Sequence, residues 1–177
     1  MFKLTSPRPA DALAIENLLD LAFGSDRRQK ISYRYRKQVA EVAELARVAR
    51  ADGQLVGTIQ YWPIVIGSSK SSALLLGPVA VVPERQGEGI AVCLIRSSLK
   101  TAGAMGHRVV LLVGDQNYYG QFGFTPAGAR GIIMTGEQPH RVLARALGSG
   151  GPNAPDAPEV FEGVSGIVLP ADQGDIE

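Results

Sequence analysis

The chain has 177 residues, of which 45% are hydrophobic and 20% charged, a composition typical of one globular domain and not of a fibrous or disordered protein. Its formal net charge of +1 argues against a protein whose overall charge drives it onto nucleic acid or an acidic membrane. No apolar run is long enough to span a membrane, and the N-terminus lacks the apolar centre of a signal peptide. The single cysteine, Cys93, cannot form an internal disulfide. We therefore expect a cytoplasmic protein without a structural metal.

The first third of the chain predicts a strand, a helix and a basic segment. Residues 2–5 favour a short strand, and apolar residues at helical spacing predict a helix over residues 10–23. Residues 25–43 are interpreted as one or two helices that carry a cluster of cations: Arg27, Arg28, Lys30, Arg34, Arg36 and Lys37. A solvated helix face is the favoured interpretation; the alternatives are contact with nucleic acid and attraction of an acidic substrate or of the phosphates of a cofactor.

Residues 45–66 predict a β-hairpin, because Asp52-Gly53 is a strong turn signal between two apolar runs. The next run, residues 73–82, is apolar almost throughout, as in a strand that is covered on both faces. Gly77-Pro78 interrupts this strand, and proline cannot donate a ladder hydrogen bond. We therefore expect a bulge that splays the strand from its neighbour and opens a slot.

The stretch from Ala80 to Ala91 joins this strand to a helix predicted over residues 89–102. Gly87 and Gly89 stand where the helix begins, and glycine allows a ligand to approach the backbone closely. The first N–H groups of a helix lack intrahelical partners and carry partial positive charge. The stretch is therefore predicted to bind an anion, most simply a phosphate or pyrophosphate. Neither the Walker-type loop nor the dinucleotide fingerprint fits the residues that follow, since Val92 stands at the third glycine of the latter.

Residues 108–113 follow the helix as another buried strand, so that strand, helix and strand predict a right-handed βαβ crossover. Ligands of such sheets bind beyond the carboxyl ends of the strands, where the two glycines lie. Farther along, residues 132–134, 141–147 and 164–169 favour short strands. We divide the chain into a main domain, residues 1–147, and a Gly- and Pro-rich loop with a C-terminal extension, residues 148–177, which packs on the same domain and ends in a frayed tail.

Two motifs carry a family resemblance. Residues Gln86 to Ala91 have the form Gln-x-x-Gly-x-Ala, and a segment of the form Asp-x-x-Tyr-Tyr-x-x-Phe-Gly-Phe runs from Asp115 to Phe124. In this order, separated by one helix and one strand, they resemble the acetyl-CoA pyrophosphate loop and the tyrosine-bearing helix of the GNAT superfamily of N-acetyltransferases, and the longer segment resembles a bacterial subgroup of it. The resemblance covers residues 4–124 and implies an α/β (α+β) GNAT-like fold, with a mixed central sheet, a βαβ crossover and splayed parallel strands that form the acetyl-CoA slot.

The resemblance also implies which residues bind acetyl-CoA, the expected co-substrate. The pyrophosphate is expected on residues 87–91, and the pantetheine arm is expected to pair like a strand with residues 80–82. A backbone N–H near Val81 is expected to stabilise the oxyanion. The implied cofactor-binding residues are Ala80, Val81, Val82, Gln86, Gly87, Glu88, Gly89, Ile90, Ala91, Asn117 and Tyr119.

The implied reaction is transfer of an acetyl group from acetyl-CoA to a primary amine by direct attack, with Tyr119 as the general acid. Direct attack needs neither a metal nor an acyl-enzyme nucleophile. The expected acceptor is a small-molecule or peptide amine; nucleic acid and membranes are not expected partners, and a homodimer is left open. Two alternatives stay open as well: a non-catalytic acyl-CoA-binding sensor or partner module, and a nucleic-acid-associated acetyltransferase, which only the basic segment favours.

Several side chains keep open interpretations. Glu88 stands where many relatives of the resembled family carry Lys or Arg, and Arg85 is a candidate to compensate for it. Glu41 and Glu44 are candidates to relay the proton of the amine through water, although solvated surface charge is the favoured interpretation. Trp62 fits a wall of the acceptor site and a core aromatic equally well.

Overall fold

The computed structural model describes residues 1–148 and 158–171. Within these residues the strands are β1 (Lys3–Thr5), β2 (Arg47–Ala51), β3 (Gln54–Ile66), β4 (Ser71–Val81), β5 (Val109–Val113), β6 (Thr125–Pro126), β7 (Ile132–Ile133), β8 (Val142–Ala146) and β9 (Gly166–Pro170). The α-helices are α1 (Ala12–Phe23), α2 (Ile90–Ala104) and α3 (Gln116–Tyr119). Short 3-10 helices lie between several of these elements.

The strands form a mixed sheet in the spatial order β1-β2-β3-β4-β5-β8-β6, with β9 against β3 and β7 beside β9. β4 and β5 are parallel neighbours joined by α2, which is the predicted βαβ crossover. The other neighbours along the main path are antiparallel. The predicted fold class, a mixed α/β sheet with a parallel crossover, is confirmed.

Helices α1 and α2 pack on opposite faces of the sheet, and strand alternation supplies apolar side chains to both. Ala80 packs with the apolar residues of α1, whereas its neighbour Val81 belongs to the cluster that buries α2. Gly57 of β3 lets the start of α2 approach closely, because a Cβ there would lie 3.0 Å from Cγ2 of Ile90. The beginning of α2 is therefore fixed against the centre of the sheet.

β4 and β5 pair over a short length and then separate. Leu74 and Leu75 of β4 pair with β5, although β4 continues to Val81. On the other side of β4, the register with β3 shifts where Gly77 and Pro78 stand opposite one residue. The predicted bulge and splay are confirmed, and the separation leaves a gap between the carboxyl-terminal ends of the two parallel strands.

The one or two helices predicted for the basic segment are 3-10 helices and not α-helices. They span Arg27–Gln29 and Ile31–Arg36. The Arg27 side chain is buried and forms ion pairs with Glu16 and Asp20 of α1. The interpretation as a solvated face is therefore wrong for Arg27, whereas Arg28, Lys30, Arg34 and Lys37 are exposed as that interpretation expects.

The short strands predicted after residue 130 correspond to β7, β8 and β9. β9 pairs with the end of β3, so residues 166–170 extend the same sheet. The predicted loop over residues 148–158 and the predicted tail over residues 170–177 lie mostly outside the described residues. Among the helices of residues 1–148 and 158–171, none has both the length and the apolar character needed to cross a membrane. In the same residues no three His, Cys, Asp or Glu side chains are grouped as metal ligands.

Candidate functional site

A cavity of about 410 Å³, the first cavity, lies between the end of β4, the start of α2 and α3. Most of the residues expected to bind acetyl-CoA line it: Ala80, Val81, Gln86, Gly87, Gly89, Ile90, Ala91 and Tyr119. The lining is completed by Val79, Arg85, Val92 and Tyr118. The other three expected residues are outside this lining: Val82, Glu88 and Asn117.

The loop before α2 brings unpaired backbone N–H groups to the first cavity. Gly87 and Gly89 have φ angles of 86° and 77°, a conformation that other L-residues rarely adopt. A Cβ at either position would meet no atom within 4 Å. The positive φ angle, and not a lack of space, is therefore the reason why glycine stands here. The N–H of Cys93 donates to the Gly89 carbonyl and begins the helical bonding. The N–H groups of residues 90–92 therefore have no intrahelical partner and can bind an anion.

Arg85, and not Glu88, is the charged residue on the wall of the first cavity. Nε and Nη2 of Arg85 donate to the two carboxylate oxygens of Glu88 at 2.6 and 2.7 Å. These hydrogen bonds lower the pKa of Glu88 and raise the pKa of Arg85. The carboxylate therefore partly neutralises the one cation that was expected to compensate for it.

Strand register decides which backbone groups of β4 face the gap toward β5. The Val82 N–H donates to the Val56 carbonyl of β3 at 2.9 Å. Because successive residues of a strand turn their N–H and C=O groups to opposite sides, those of Val79 and Val81 face the gap. The Gln86 side chain reaches the Val81 carbonyl only at 3.4 Å. Val79, which the sequence did not single out, thus joins Val81 as a residue whose backbone is open to a ligand.

Tyr119 lies beside the gap, on the short helix that follows β5. Asp115 caps this helix by accepting a hydrogen bond from the Asn117 N–H at 2.8 Å. Burial, with a smaller contribution from the nearby Tyr118 and a partly offsetting one from Arg141, raises the pKa of Tyr119 to about 12. The phenol therefore keeps its proton throughout the physiological pH range.

Gly114, the residue between β5 and Asp115, makes room for the Tyr119 ring. A Cβ at this position would lie 2.4 Å from Cε2 and 2.7 Å from Cδ2 of that ring. The ring therefore rests against the backbone at the end of β5, a placement that any larger residue would prevent. Sequence reasoning missed this role; the available signal was a glycine directly after a buried strand and five positions before the tyrosine.

A second cavity, of about 490 Å³, lies on the other side of Tyr119. Tyr119 and Val79 line both cavities, so the two meet at the gap between β4 and β5. Besides Tyr119, the walls of the second cavity come from residues within four separate segments: 23–36, 75–79, 112–113 and 137–141. Its charged lining residues are Lys30, Arg36, Glu137 and Arg141.

The acidic and aromatic candidates from the sequence lie elsewhere. Glu41 and Glu44 do not line the second cavity, and Glu41 accepts a hydrogen bond from the Gln60 amide at 2.9 Å on another part of the surface. Trp62 is also outside this lining; its indole N–H donates to the Gly77 carbonyl at 3.0 Å and braces the bulge. Glu137 is the carboxylate that the described residues contribute to the second cavity, and no sequence motif marked it.

Comparison with known proteins identifies the family. The family model described as an acetyltransferase (GNAT) domain matches residues 5–127, well over half of the chain. The chain belongs to the GNAT acetyltransferase family. It is 31% identical over 125 residues to YjhQ, an uncharacterized N-acetyltransferase of Escherichia coli K12, with 69% of each chain covered. It is 30% identical over 117 residues to YhbS, an uncharacterized N-acetyltransferase of the same strain, with 66% of this chain and 69% of YhbS covered.

Solved structures show the same GNAT fold. The E. coli YhbS structure in complex with CoA has a TM-score of 0.78 and 23% identity, and the match covers 99% of this chain and 92% of that one. A GNAT family acetyltransferase from Brucella melitensis in complex with acetyl-CoA has a TM-score of 0.67 and 31% identity, with 96% and 95% covered. The expected enzyme class, an acetyl-CoA-dependent acyltransferase, is thereby confirmed at the level of the family.

Proposed function

We propose that this GNAT protein transfers an acetyl group from acetyl-CoA to a primary amine by direct attack, with Tyr119 as the general acid. The observation that carries the proposal is that the first and second cavities meet at Tyr119 and Val79. A cofactor in the first cavity and an amine in the second have their reacting groups on either side of one phenol. A volume of about 490 Å³ suits a small molecule or the end of a peptide as the acceptor.

The cofactor is proposed to bind chiefly through backbone groups. Its pyrophosphate takes the N–H groups of residues 90–92 and the loop of Gly87 and Gly89, where the helix dipole favours negative charge. Its pantetheine arm runs along residues 79–82 of β4, whose open backbone groups belong to Val79 and Val81. The Val81 N–H is the proposed donor to the developing oxyanion. Val82, Glu88 and Asn117 lie outside the first cavity and take a peripheral part.

The proposed chemistry requires two protons to leave the acceptor. The ammonium form loses one proton to solvent, and the neutral nitrogen then forms a bond to the thioester carbonyl carbon. As the tetrahedral intermediate collapses, the carbon–sulfur bond breaks and the thiolate takes a proton from the Tyr119 phenol. The second proton of the nitrogen then restores the phenol through solvent. The products are the acetylated amine, CoA with a free thiol, and one proton in solution.

The raised pKa of Tyr119 restricts how it can act. For isolated groups, transfer from a phenol of pKa about 12 to a thiolate of ordinary pKa about 8.5 is uphill by about 5 kcal/mol. The thiolate forms in the same apolar gap, however, and burial raises the pKa of a thiol as it raises that of a phenol. Tyr119 is therefore proposed to donate a hydrogen bond to the sulfur and to pass its proton as charge develops there, not to ionise beforehand.

The test is turnover. The purified protein is incubated with acetyl-CoA and a panel of small amines and peptides, and the release of CoA thiol and the acetylated product are both measured. We expect release of CoA that depends on the amine and matches product in amount. Tight acetyl-CoA binding without turnover on any amine would indicate the acyl-CoA-binding module instead. A cytoplasmic location and a homodimer stay predictions.

A further inference from the structure

We infer that the acceptor is an amine that also carries a carboxylate, and that Arg36 in the second cavity binds this carboxylate. The inference rests on the proposed function, since it names the class of amine that the acetyl group reaches. It depends on the environment of Arg36, on the charge balance of the cavity and on the position of Glu137. None of these side chains belongs to the two motifs that mark the family.

The guanidinium of Arg36 is enclosed without an anionic partner. Its Nε and Nη1 are buried and have no hydrogen-bond partner. Its central carbon lies 4.2 Å from the ring centroid of Tyr33 and 5.9 Å from that of Trp62, so aromatic faces surround the cation. Burial lowers the pKa of Arg36 to about 10, and Tyr33 offsets part of this effect. The group still carries its charge at neutral pH, and its desolvation cost is compensated only in part.

The acids that share a cavity with this cation do not neutralise it. Glu16 shares a smaller cavity with Arg36, but its carboxylate is engaged by Arg27 and Arg28. Glu137 lines the second cavity with Arg36, and the described residues show no ion pair between the two. In the parts of the chain that the structure describes, Arg36 therefore has no carboxylate partner. A half-buried charge of this kind gains more than a fully exposed one from a ligand of opposite charge, because it is screened less by water.

The guanidinium also lies where an acceptor would pass. Nη2 of Arg36 is 3.6 Å from the position that a Cβ of Gly77 would occupy, and Gly77 is part of the bulge that opens the gap. Glycine at this position leaves the space beside the guanidinium unfilled. Arg36 and Tyr119 line the same cavity, so a molecule that fills it can contact both. An acceptor held by Arg36 at one end thus presents its other end to the reacting groups.

The shape of the Arg36 guanidinium and the position of Glu137 favour a carboxylate. The second cavity carries three cations, Lys30, Arg36 and Arg141, and one acid, Glu137, so its lining attracts an anion. A carboxylate carries one charge and matches the planar guanidinium. Glu137 then faces the ammonium form of the same acceptor before it loses its proton, so the cavity matches an amine and a carboxylate together.

The experiment compares amines that differ only in the carboxylate. Amino acids are tested beside their amides and their decarboxylated amines, and phosphoethanolamine is tested beside β-alanine. We expect kcat/KM to be at least about tenfold higher for the carboxylate of each pair that reacts, as charge-assisted hydrogen bonds of this kind provide. An equal rate for the amide, or a preference for the phosphorylated amine, would overturn the inference while leaving the acetyltransferase itself established.

Arg36→Gln should abolish this preference, bringing the ratio of kcat/KM values within each pair close to one, with the affinity for acetyl-CoA unchanged. Arg36→Lys should restore part of the preference, since it keeps a charge but not the planar fork. Arg34→Gln is the matched control, because Arg34 lies two positions away on the same 3-10 helix and is exposed. Removing an unpaired buried charge should not lower the melting temperature, so Arg36→Gln is expected to fold.

A binding measurement separates this inference from the proposed function. The reactive or best-fitting amino acid is titrated into the CoA-loaded protein by calorimetry. Binding that is lost in Arg36→Gln and kept in Arg34→Gln supports the carboxylate site even if no turnover is found. Turnover on amines with no carboxylate preference, or binding that ignores Arg36, contradicts the inference and leaves the proposed transfer intact.

Discussion

The two cavities that meet at Tyr119 are built on different principles. The first presents backbone: two glycines with positive φ, the free N–H groups of a helix start, and the open edge of β4. The second presents side chains, with Tyr33, Arg36, Glu137 and Arg141 contributed by segments far apart in the chain. Charge at the first is supplied by a helix end and one partly neutralised arginine, whereas charge at the second is supplied by three basic side chains and one acidic side chain, Lys30, Arg36, Arg141 and Glu137.

This difference explains what each cavity can recognise. A backbone site depends on conformation, so many sequences can build it provided that glycine stands where φ is positive. It suits a cofactor that all members of a family share. A site of side chains depends on the identity of each residue, and a few substitutions can redirect it to another acceptor. The proposed cofactor site and the proposed acceptor site thus meet at a single gap in the sheet.

The most severe test concerns Tyr119, which with Val79 lines both cavities. Tyr119→Phe removes the hydroxyl and keeps the ring, so kcat should fall by about 10²- to 10⁴-fold, the usual range for general acid catalysis. The affinity for acetyl-CoA should change little, because the cofactor is held by backbone groups. Steady-state kinetics and calorimetry measure the two quantities on the same preparation.

Tyr118→Phe is the matched control for this change, because Tyr118 is exposed and its ring meets the Tyr119 ring edge-on at 5.0 Å. The pH profile adds a second criterion. A phenol of pKa about 12 keeps its proton on the alkaline side, so wild-type kcat should show no falling limb at about pH 10, where an ordinary tyrosine would begin to ionise. A falling limb there that is absent in Tyr119→Phe would contradict the assigned pKa, and undiminished kcat in the variant would remove Tyr119 from the mechanism.

The second test disrupts the loop of the first cavity and leaves the second cavity unchanged. Gly89→Val places a β-branched residue at φ 77°, which costs about 1–2 kcal/mol or more if the conformation is kept and moves the helix start if it is not. The dissociation constant for acetyl-CoA should therefore rise by about tenfold or more, while the acceptor preference of whatever turnover remains is unchanged.

Gly53→Val is a closely matched control for Gly89→Val. Gly53 has φ 79°, and a Cβ there also meets no atom within 4 Å, but it lies in the β2–β3 turn and not on the first cavity. Both variants should lose a similar amount of stability, and only Gly89→Val should lose affinity. Calorimetry on the folded proteins decides, and equal affinity in the two variants would refute the phosphate loop.

The same contrast separates what the sequence could predict from what it could not. The crossover, the splay and the loop depend on local sequence. A backbone conformation is indicated within a few residues by Gly77-Pro78 for the splay and by Gly87 and Gly89 for the loop. The position of Tyr119 on the first cavity could also be predicted, because a local motif carries the residue. Val79 was missed because its role depends on the register of β4 against β3, which a single strand does not display.

The lining of the second cavity could not be predicted from the sequence, for a physical reason. Arg36 and Glu137 are a hundred positions apart, and only the packing of the basic segment beside β4 and the turn before β8 brings them to one wall. The cluster of cations was visible in the sequence, yet its members have different roles: Arg27 is ion-paired with α1, Arg34 is exposed, and Arg36 is half-buried with no acid paired to it. Net charge and spacing cannot separate these roles, since burial and ion pairing are decided by residues outside the segment.

A third test shifts the Tyr119 ring without substituting Tyr119 itself. Gly114→Ala introduces a Cβ that would lie 2.4 Å from the Tyr119 ring, so the ring must shift. We expect kcat to fall by roughly three- to tenfold, below the loss of about 10²-fold that a displacement of 1 Å can cause. Acetyl-CoA affinity should change less. Gly128→Ala is the control, since a Cβ at that position meets no atom within 4 Å; equal kcat in both variants would show that the placement of the ring is not critical.

The smallest expected effect comes from changing a charge at the first cavity. Glu88→Gln releases Arg85 from its two hydrogen bonds and leaves the cation free to approach the cofactor phosphates. Because the pair is partly solvated, the dissociation constant for CoA should fall by only about two- to fivefold at low salt, and by less as salt screens the charges.

A double-mutant cycle isolates this contribution of Arg85. In an Arg85→Gln background, Glu88→Gln should leave the affinity for CoA unchanged, because no cation remains to be released. Arg36→Gln provides the comparison from the second cavity, where one charge is expected to alter acceptor preference by tenfold. If Glu88→Gln changed CoA affinity by as much, charged side chains would govern both cavities alike and the backbone account of the first would be wrong. A small, salt-sensitive gain that requires Arg85 fits a cofactor held mainly by the loop and the helix start.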